Sequence, residues 1–360
     1  MALNRQQNAT LSGAVLLVNN STDSTASIAR NLQDALLFPI EVIEHQFPPE
    51  HQTAGQARRM AMDRAADWVP AGGVLLCTDA DGQVAPDWLA ANLFHIRHGA
   101  DAVAGRAVID PIDAAAIPVI LHQDDARECA YAVLLDEIDS LLDADAADPW
   151  PRHTEHSGAS ICVTLDAFRR AGGIPPIPVG EDRAFFSALR RIDARLRHAS
   201  DVWVTVSGRV HGRAAGGMAD TIRRRLIAPD MFLNDALEPA ADRVRRARLR
   251  RRFRDLFVGQ RQDTAQLLKE LGCNATMLAR ALDQNTFGLA WEMVETHTAK
   301  LIRVPVPLSA LPREAAQATR ILAALRADCL APAGSQARWS DPNLMRLPLS
   351  RAAETSRMTG

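Results

Sequence analysis

Two aspartates, Asp79 and Asp81, stand between an apolar run at Gly73 to Cys77 and a glycine at Gly82. Side chains two residues apart in an extended segment point to the same side, so the two carboxylates should converge where a buried strand ends. Such a pair suits a hard divalent cation, Mg²⁺ or Mn²⁺, which would in turn hold the diphosphate of a ligand. The alternative is an acidic turn with solvated charges, because D-x-D-G occurs often by chance.

A second acidic pair, Glu181 and Asp182, follows Gly180 at the predicted start of a helix. A carboxylate held there and facing a cleft could deprotonate an acceptor hydroxyl, provided that it lies within hydrogen-bond reach of the proton. The alternative is simple helix capping, since acidic residues are favoured in the first turn of a helix.

A third segment combines cations with glycines and contains Arg209, His211 and Arg213. Glycines permit close approach of the backbone, and arginines pair with phosphate oxygens in a bidentate manner. His211 is a candidate metal ligand or phosphate donor, whereas a merely solvated loop histidine is the alternative.

Alternating strands and helices must position these side chains. Extended runs are predicted at Ala14 to Val18, Ile40 to Ile43, Gly73 to Cys77, Ala102 to Ala107, Ala159 to Val163 and Val202 to Ser207. Helices are predicted between them, at Thr25 to Leu37, Thr53 to Trp68, about Pro118 to Asp143, Leu165 to Ala171 and Glu181 to Arg191. This alternation predicts an α/β fold with a mostly parallel sheet flanked by helices.

The character of the sequence changes after Gly216-Gly217, where helical patterns with arginine-rich faces replace the β-signal. The predicted organisation is an α/β domain at 1–228, a helical C-terminal extension at 229–330, and a loosely ordered Ser-, Pro-, Ala- and Arg-rich tail at 331–360.

Taken in series, the three segments resemble the inverting family 2 glycosyltransferases of the GT-A fold. Thr78 to Gly82 is similar to their DXD motif, Asn20 to Thr25 to their GSTDGT turn, and Gly180 to Asp182 to the acidic ED motif before the acceptor helix. The resemblance covers about Ala14 to Arg225 and implies a Rossmann-type GT-A sheet.

The resemblance also implies roles for individual residues. Asp79 and Asp81 would position a divalent metal and the nucleotide-sugar diphosphate, and Asp182 would be the general base with Glu181 beside it. Asn20, Arg209 and Arg213 would contact the donor nucleotide, and His211 would be a further metal ligand. The expected activity is metal-dependent transfer of a sugar, with inversion, from a nucleotide sugar to an unknown hydroxyl acceptor, which is a small molecule, a lipid or a glycan.

Members of this family usually begin with a strand that lines the nucleobase pocket, and only thirteen mostly polar residues precede Ala14. We therefore expect that first strand to be missing, which would expose apolar surface. Two alternatives to the transferase stay open: an enzyme similar to sugar-1-phosphate nucleotidyltransferases, and a truncated, non-catalytic protein that binds nucleotide sugars.

Composition bears on partners and location. With 41 basic and 43 acidic residues the formal net charge is −2, so nucleic acid is not an expected partner. One stretch, Arg243 to Arg254, holds eight arginines and could contact a membrane surface, or else form a helix face paired with acidic residues. Five scattered cysteines indicate core thiols, and a cytoplasmic location is expected because neither a signal peptide nor a membrane span is evident.

Overall fold

The structure is a computed structural model that describes residues 2–210, 212, 217–228, 230–234 and 236–330. The strands are β1 (Ala14–Asn19), β2 (Ile40–His45), β3 (Val74–Cys77), β4 (Gln83–Val84), β5 (Ala102–Ile109), β6 (Ile161–Thr164) and β7 (Leu196–Val206). The α-helices are α1 (Thr25–Asn31), α2 (Ala54–Trp68), α3 (Trp88–Arg97), α4 (Pro111–Ala115), α5 (Val119–Leu142), α6 (Leu165–Arg170), α7 (Glu181–Arg191), α8 (Met218–Ile227), α9 (Ala240–Phe257), α10 (Thr264–Leu271), α11 (Ala275–Leu282), α12 (Phe287–His297) and α13 (Leu311–Leu330). The predicted α/β class with a helical C-terminal region is confirmed.

The strands form two sheets. β1 and β2 pair in parallel as a two-stranded sheet, and the other five strands follow the order β3-β6-β5-β7-β4. In the larger sheet β5 and β7 are parallel, whereas β6 is antiparallel to both β3 and β5, and β4 is antiparallel to β7. The parallel direction expected from the alternation thus holds for β1–β2 and β5–β7. β6 departs from it: after α4, α5 and a long loop the chain re-enters the sheet at the end where β5 leaves it, so β6 runs antiparallel to β5.

Helices cover both faces of the larger sheet because successive side chains of a buried strand point to opposite sides. On one face, Ala104 of β5 and Ile161 of β6 pack in a cluster with Phe185 of α7. On the other, Val103 and Cys162 join a cluster that includes Trp88 of α3. The core of the α/β part is therefore a three-layer arrangement whose central layer carries the D-x-D segment at the end of β3.

The N-terminal residues close against this core. Gln7 donates its backbone N–H to the carbonyl of Pro86 (2.8 Å), and the Gln6 carboxamide donates to the carbonyl of Ala85 (2.8 Å). Leu3 and Leu11 pack against the cluster around Trp88. Where exposed apolar surface was expected beside a missing first strand, this polar-rich segment contributes its few apolar side chains to the core.

The C-terminal helices share a core with α5. Tyr131, Leu135 and Ile138 of α5, spaced by about one helical turn, pack with Val244 of α9 and Leu322 of α13. Side-chain packing therefore continues across the boundary predicted near residue 228. The helix α5 precedes that boundary, and its apolar face is buried by helices that follow it.

The arginines of α9 pair with acidic side chains of the protein. Arg246 is buried and contacts Glu238 (3.0 Å) and Glu295 (2.8 Å), while Arg250 and Arg254 both pair with the buried Asp143. Further pairs join Arg243 to Asp139 and Glu238, Arg245 to Asp242, Arg251 to Asp255, and Arg252 to Glu270. This pairing favours the acidic-partner interpretation of the stretch over a membrane contact.

Two further expectations are addressed by the described residues. None of their helices combines the length and apolarity needed to cross a membrane. The five cysteines are free thiols, but Cys129 and Cys329 are exposed, so the expectation of core thiols is wrong for these two.

Candidate functional site

The two aspartates of the D-x-D segment lie in the turn that joins β3 to β4. β3 ends at Cys77, and the backbone N–H of Gly82 donates to the carbonyl of Asp79 (3.0 Å), which closes the turn. The extended geometry expected for this segment is therefore replaced by a tight turn. The carboxylates of Asp79 and Asp81 are about half exposed, at 43% and 48% of their side-chain surface.

An arginine from α2 joins the first aspartate to the second acidic motif. Arg58 donates through Nη2 to Oδ1 of Asp79 (2.7 Å) and through Nη1 to Oε1 of Glu181. Only 11% of the Arg58 side chain and 8% of the Glu181 side chain are exposed. Burial by itself would lower the pKa of Arg58, but its contacts with Cys77 and with the carboxylate of Asp79 outweigh burial and raise the pKa, so the guanidinium stays charged.

The candidate base, Asp182, is held by two backbone N–H groups. Gly158 donates to Oδ2 (2.9 Å) and Arg183 donates to Oδ1 (2.7 Å). Asp182 is half-buried in the first turn of α7, which Gly180 starts in a left-handed conformation with φ of 78°. Because each carboxylate oxygen has two acceptor sites, both oxygens keep capacity to accept a proton from a substrate.

The glycine- and arginine-containing segment after β7 reaches the second aspartate. Arg209 pairs through Nη1 with Oδ2 of Asp81 (2.6 Å). The preceding residues are anchored by Asp113 of α4, which accepts from the Ser207 hydroxyl (2.8 Å) and from the backbone N–H of Gly208 (2.7 Å). His211 and Arg213, which were predicted to act here, lie outside the described residues.

Asn20 directly follows β1, in the part of the chain that carries the two-stranded sheet. Its backbone is left-handed, with φ of 50°. Its carboxamide donates to the carbonyl of Phe47 (2.8 Å) and accepts from the N–H of Phe47 (3.2 Å), so it fastens the ends of β1 and β2 together. None of these bonds joins Asn20 to the acidic residues, and its contact with the donor nucleotide stays a prediction.

A cluster of buried histidines lies behind the loop that carries Gly158. The Nδ1 of His198 bonds to Oδ2 of Asp148 (2.7 Å), and its Nε2 lies 3.0 Å from Nε2 of His156. The ring of His156 also stacks on Phe186 of α7, with centroids 4.7 Å apart. Burial lowers the pKa of His156 to about 2 and that of His153 to about 4, so both rings are neutral at physiological pH.

Asp79 and Asp81 fit a hard divalent cation by the chemistry of their donors. Carboxylates are preferred ligands of Mg²⁺, which commonly takes one or two of them and leaves its other positions to water and phosphate oxygens. Each aspartate uses one oxygen in its arginine pair. Within the described part of the chain, no three His, Cys, Asp or Glu side chains are grouped to hold a metal.

Sequence reasoning missed Arg58 and Gly158. The buried positions of α2 are Gly55, Met62 and Ala66, and Arg58 lies on the same helical face as these small and apolar residues. A charged residue on a face that is otherwise buried requires a partner, and this was the available signal. Gly158 gave no comparable signal, because its role depends on contacts with residues distant in sequence.

The sequence matches one protein family. Residues 5–122, about a third of the chain, match the model described as Glycosyl transferase family 2. The matched region contains Asn20, Asp79 and Asp81 and also Arg58, whereas Glu181, Asp182 and Arg209 lie beyond it. No curated protein matches the chain at a significant level.

Two solved structures are similar to this chain at low sequence identity. A mannosyltransferase from Pyrobaculum calidifontis, in complex with GDP-Man and Mn²⁺, is 17% identical, with a TM-score of 0.37 and coverage of 87% of this chain and 75% of its own. S. aureus TarS 1-349, in complex with UDP, is 16% identical, with a TM-score of 0.40 and coverage of 91% and 86%. The family match, and not these two structures, confirms the resemblance that the motifs predict: residues 5–122 of the chain are similar to the family 2 glycosyltransferases.

Proposed function

We propose that the protein is a metal-dependent, inverting glycosyltransferase that moves a sugar from a nucleotide-sugar donor to a hydroxyl acceptor. The observation that carries this proposal is the joining of two acidic motifs about one hundred residues apart through the single side chain of Arg58. One motif has the donors suited to a metal and diphosphate, and the other has a half-buried carboxylate suited to a general base.

In this proposal the donor lies against the β3–β4 turn. Asp79 and Asp81 would hold the divalent cation, which when bound offsets negative charge on the diphosphate leaving group. Arg209, which pairs with Asp81 and is half exposed, would donate to phosphate oxygens as they approach. The donor-facing side of the site is therefore a set of carboxylates and guanidinium groups whose charges are balanced before the donor arrives.

Asp182 would act on the acceptor. Its carboxylate would accept the hydroxyl proton while the acceptor oxygen forms a bond to the anomeric carbon. The bond from that carbon to the diphosphate oxygen breaks in the same displacement, and the leaving diphosphate carries away the electron pair. A single displacement inverts the anomeric configuration. The N–H groups of Gly158 and Arg183 fix the orientation of the carboxylate for this transfer.

Titration calorimetry tests the donor half of the proposal. The purified chain is titrated with a panel of nucleoside diphosphates and nucleotide sugars, in Mn²⁺ or Mg²⁺ and again in chelator. We expect at least one nucleotide to bind in metal and to lose most of its affinity in chelator. Asp81→Ala should reduce that affinity by about tenfold or more, because it removes one of two carboxylate ligands.

The exposed Asp166, which pairs with Arg170 on α6, provides a matched control. Asp166→Ala removes a carboxylate from the surface and should leave nucleotide affinity unchanged. Equal affinities in metal and in chelator would contradict metal dependence, and binding heats that are the same in Asp81→Ala as in the unsubstituted protein would remove Asp81 from the site.

A further inference from the structure

Arg58 contacts three parts of the candidate site at once. Its two terminal nitrogens pair with Asp79 and Glu181, and its guanidinium lies directly against Gly158, whose N–H holds Asp182. No other side chain of the described residues forms ion pairs with both acidic motifs. The donor-side turn and the start of the acceptor-side helix are therefore joined by one guanidinium group, that of Arg58.

Two glycines make room for this arrangement. A Cβ on Gly158 would come within 2.3 Å of the Arg58 guanidinium carbon, so the position has space for the guanidinium only while residue 158 lacks a side chain. A Cβ on Gly55, one turn earlier on α2, would lie 2.6 Å from the carbonyl oxygen of Ile177 and 3.2 Å from Cβ of Glu181. The close approach of α2 to the start of α7 thus brings Arg58 within reach of Glu181.

The geometry requires arginine and not merely a positive charge. A guanidinium presents several N–H donors in a fixed plane, so it can serve two carboxylates at the same time, whereas an ammonium group is a compact point charge. Glu181 is almost fully buried, and a buried carboxylate without a partner is strongly unfavourable. Arg58 is thus the counter-ion that allows Glu181 to be charged at this position.

From these contacts we propose that Arg58 is a positioning residue that couples the donor-side carboxylate Asp79 to the acceptor-side carboxylate Glu181. The inference rests on the proposed function for the meaning of the two sides, but the coupling itself is a property of this chain. One guanidinium is shared between two carboxylates. A substitution at Glu181 therefore alters how strongly Arg58 competes with a metal ion for Asp79. The affinity of the D-x-D turn for a metal ion therefore depends, through Arg58, on the side chain at position 181.

The test measures the dissociation constant of Mn²⁺ alone, by calorimetry, in a double-mutant cycle. Glu181→Gln should weaken Mn²⁺ binding about threefold to tenfold, because Arg58 then pairs more closely with Asp79. Arg58→Met should tighten Mn²⁺ binding, because it removes the competing cation. In the Arg58→Met background, Glu181→Gln should have no further effect. Arg58→Lys should give an intermediate result and keeps the cycle measurable if Arg58→Met does not fold.

Arg59 is the matched control. It is adjacent on α2 and binds the carbonyl of Ile174 and the carboxylate of Asp63, so Arg59→Met removes the same charge from the same helix. It should leave both the Mn²⁺ affinity and the effect of Glu181→Gln unchanged. Gly158→Ala, which displaces the guanidinium but keeps its charge, should reproduce the loss of coupling.

The coupling is overturned if Glu181→Gln changes Mn²⁺ affinity by the same factor with and without Arg58, or changes it in neither background while Mn²⁺ binds. If Mn²⁺ does not bind the unsubstituted protein, the metal-dependent function fails, and the coupling is then decided by denaturant unfolding. There, the pairs Arg58→Met with Glu181→Gln and Arg58→Met with Asp79→Asn should each depart from additivity by about fivefold or more in the unfolding equilibrium constant. Additive effects in both pairs would overturn the inference.

Discussion

At the scale of the residue, Asp182 differs from its neighbour Glu181 in exposure and in partners. Glu181 is buried and paired with Arg58, which leaves it poorly placed to take a proton from an incoming substrate. Asp182 is half-buried, and its carboxylate accepts hydrogen bonds from the backbone N–H groups of Gly158 and Arg183. The structure therefore separates the two acidic residues of the ED pair into a paired carboxylate and a reachable one.

Asp182→Asn should lower the rate of sugar transfer by about 10²- to 10⁴-fold, which is the usual contribution of a general base. An amide of the same shape keeps the side-chain volume but cannot take the hydroxyl proton, and it gives up one of the two backbone hydrogen bonds because its nitrogen does not accept. Nucleotide affinity should stay within about twofold because Asp79 and Asp81 are unchanged. Steady-state rates and calorimetric titrations of the same preparation measure the two effects separately. Transfer at an unchanged rate would assign the base to another residue, and a parallel loss of nucleotide binding would indicate a disrupted site.

At the scale of the element, α9 illustrates how a run of arginines is used inside a protein. Asp143, at the end of α5, has only 2% of its side chain exposed and pairs with Arg250 (2.8 Å) and Arg254. The guanidinium of Arg254 also lies over the ring of Phe287 on α12, 4.7 Å from its centroid. These contacts tie the C-terminal helices to the helix that contributes to the α/β part, so α9 joins two parts of the molecule.

Asp143→Ala should reduce the free energy of unfolding by about 3 kcal/mol, because removal of one partner leaves partly buried charges uncompensated. Asp242→Ala is the matched control on α9, the helix that carries the arginine partners of Asp143, since the pair of Asp242 with Arg245 (2.9 Å) is more exposed and should contribute less than about 1 kcal/mol. Urea denaturation of both variants gives the comparison. Equal losses, or a small loss at Asp143, would show that the buried pair does not stabilise the junction.

At the scale of the whole molecule, periodicity in the sequence was sufficient to predict most helices and strands. It was insufficient to predict how the strands are arranged in the sheets. The helix Glu181 to Arg191 has the predicted bounds, and Val119–Leu142 differs from its prediction by one residue at each end. These segments have long, regular patterns. β4, with only two residues, carried no pattern to detect, and the antiparallel direction of β6 depends on where a long connection returns to the sheet.

The candidate site shows the same division. Asp79, Asp81, Glu181 and Asp182 could be selected because paired carboxylates beside turns and helix starts have a recognisable chemistry, and Arg209 because it follows a strand among glycines. Arg58 could not be assigned a partner from sequence, since both of its carboxylates come from distant segments. Contacts that join separate elements require the fold, and in this protein they include the contact that assembles the site.

Two kinds of buried group give the whole molecule opposing responses to pH. Burial raises the pKa of Asp136 to about 7, so this carboxyl keeps its proton in the folded state and adds stability as pH falls from 7 toward 4. Burial lowers the pKa of His153 to about 4 and that of His156 to about 2, so unfolding takes up protons below pH 6.5 and each ring reduces stability there. On acidification from pH 7 to 5 each of these two histidines costs about 2 kcal/mol, and Asp136 offsets about as much. Burial also lowers the pKa of His198, which adds to the loss, and raises the pKa of Glu128, which opposes it.

Substitution of either kind of group should change this pH response in opposite directions. His153→Asn removes one proton uptake on unfolding, so the loss of stability between pH 7 and 5 should shrink by about 2 kcal/mol. Asp136→Asn removes a group that opposes the histidines, so the loss should grow by about the same amount. Urea midpoints measured at several pH values for the three proteins test both signs. If the two variants shift the response in the same direction, the pH dependence arises from groups other than these buried residues.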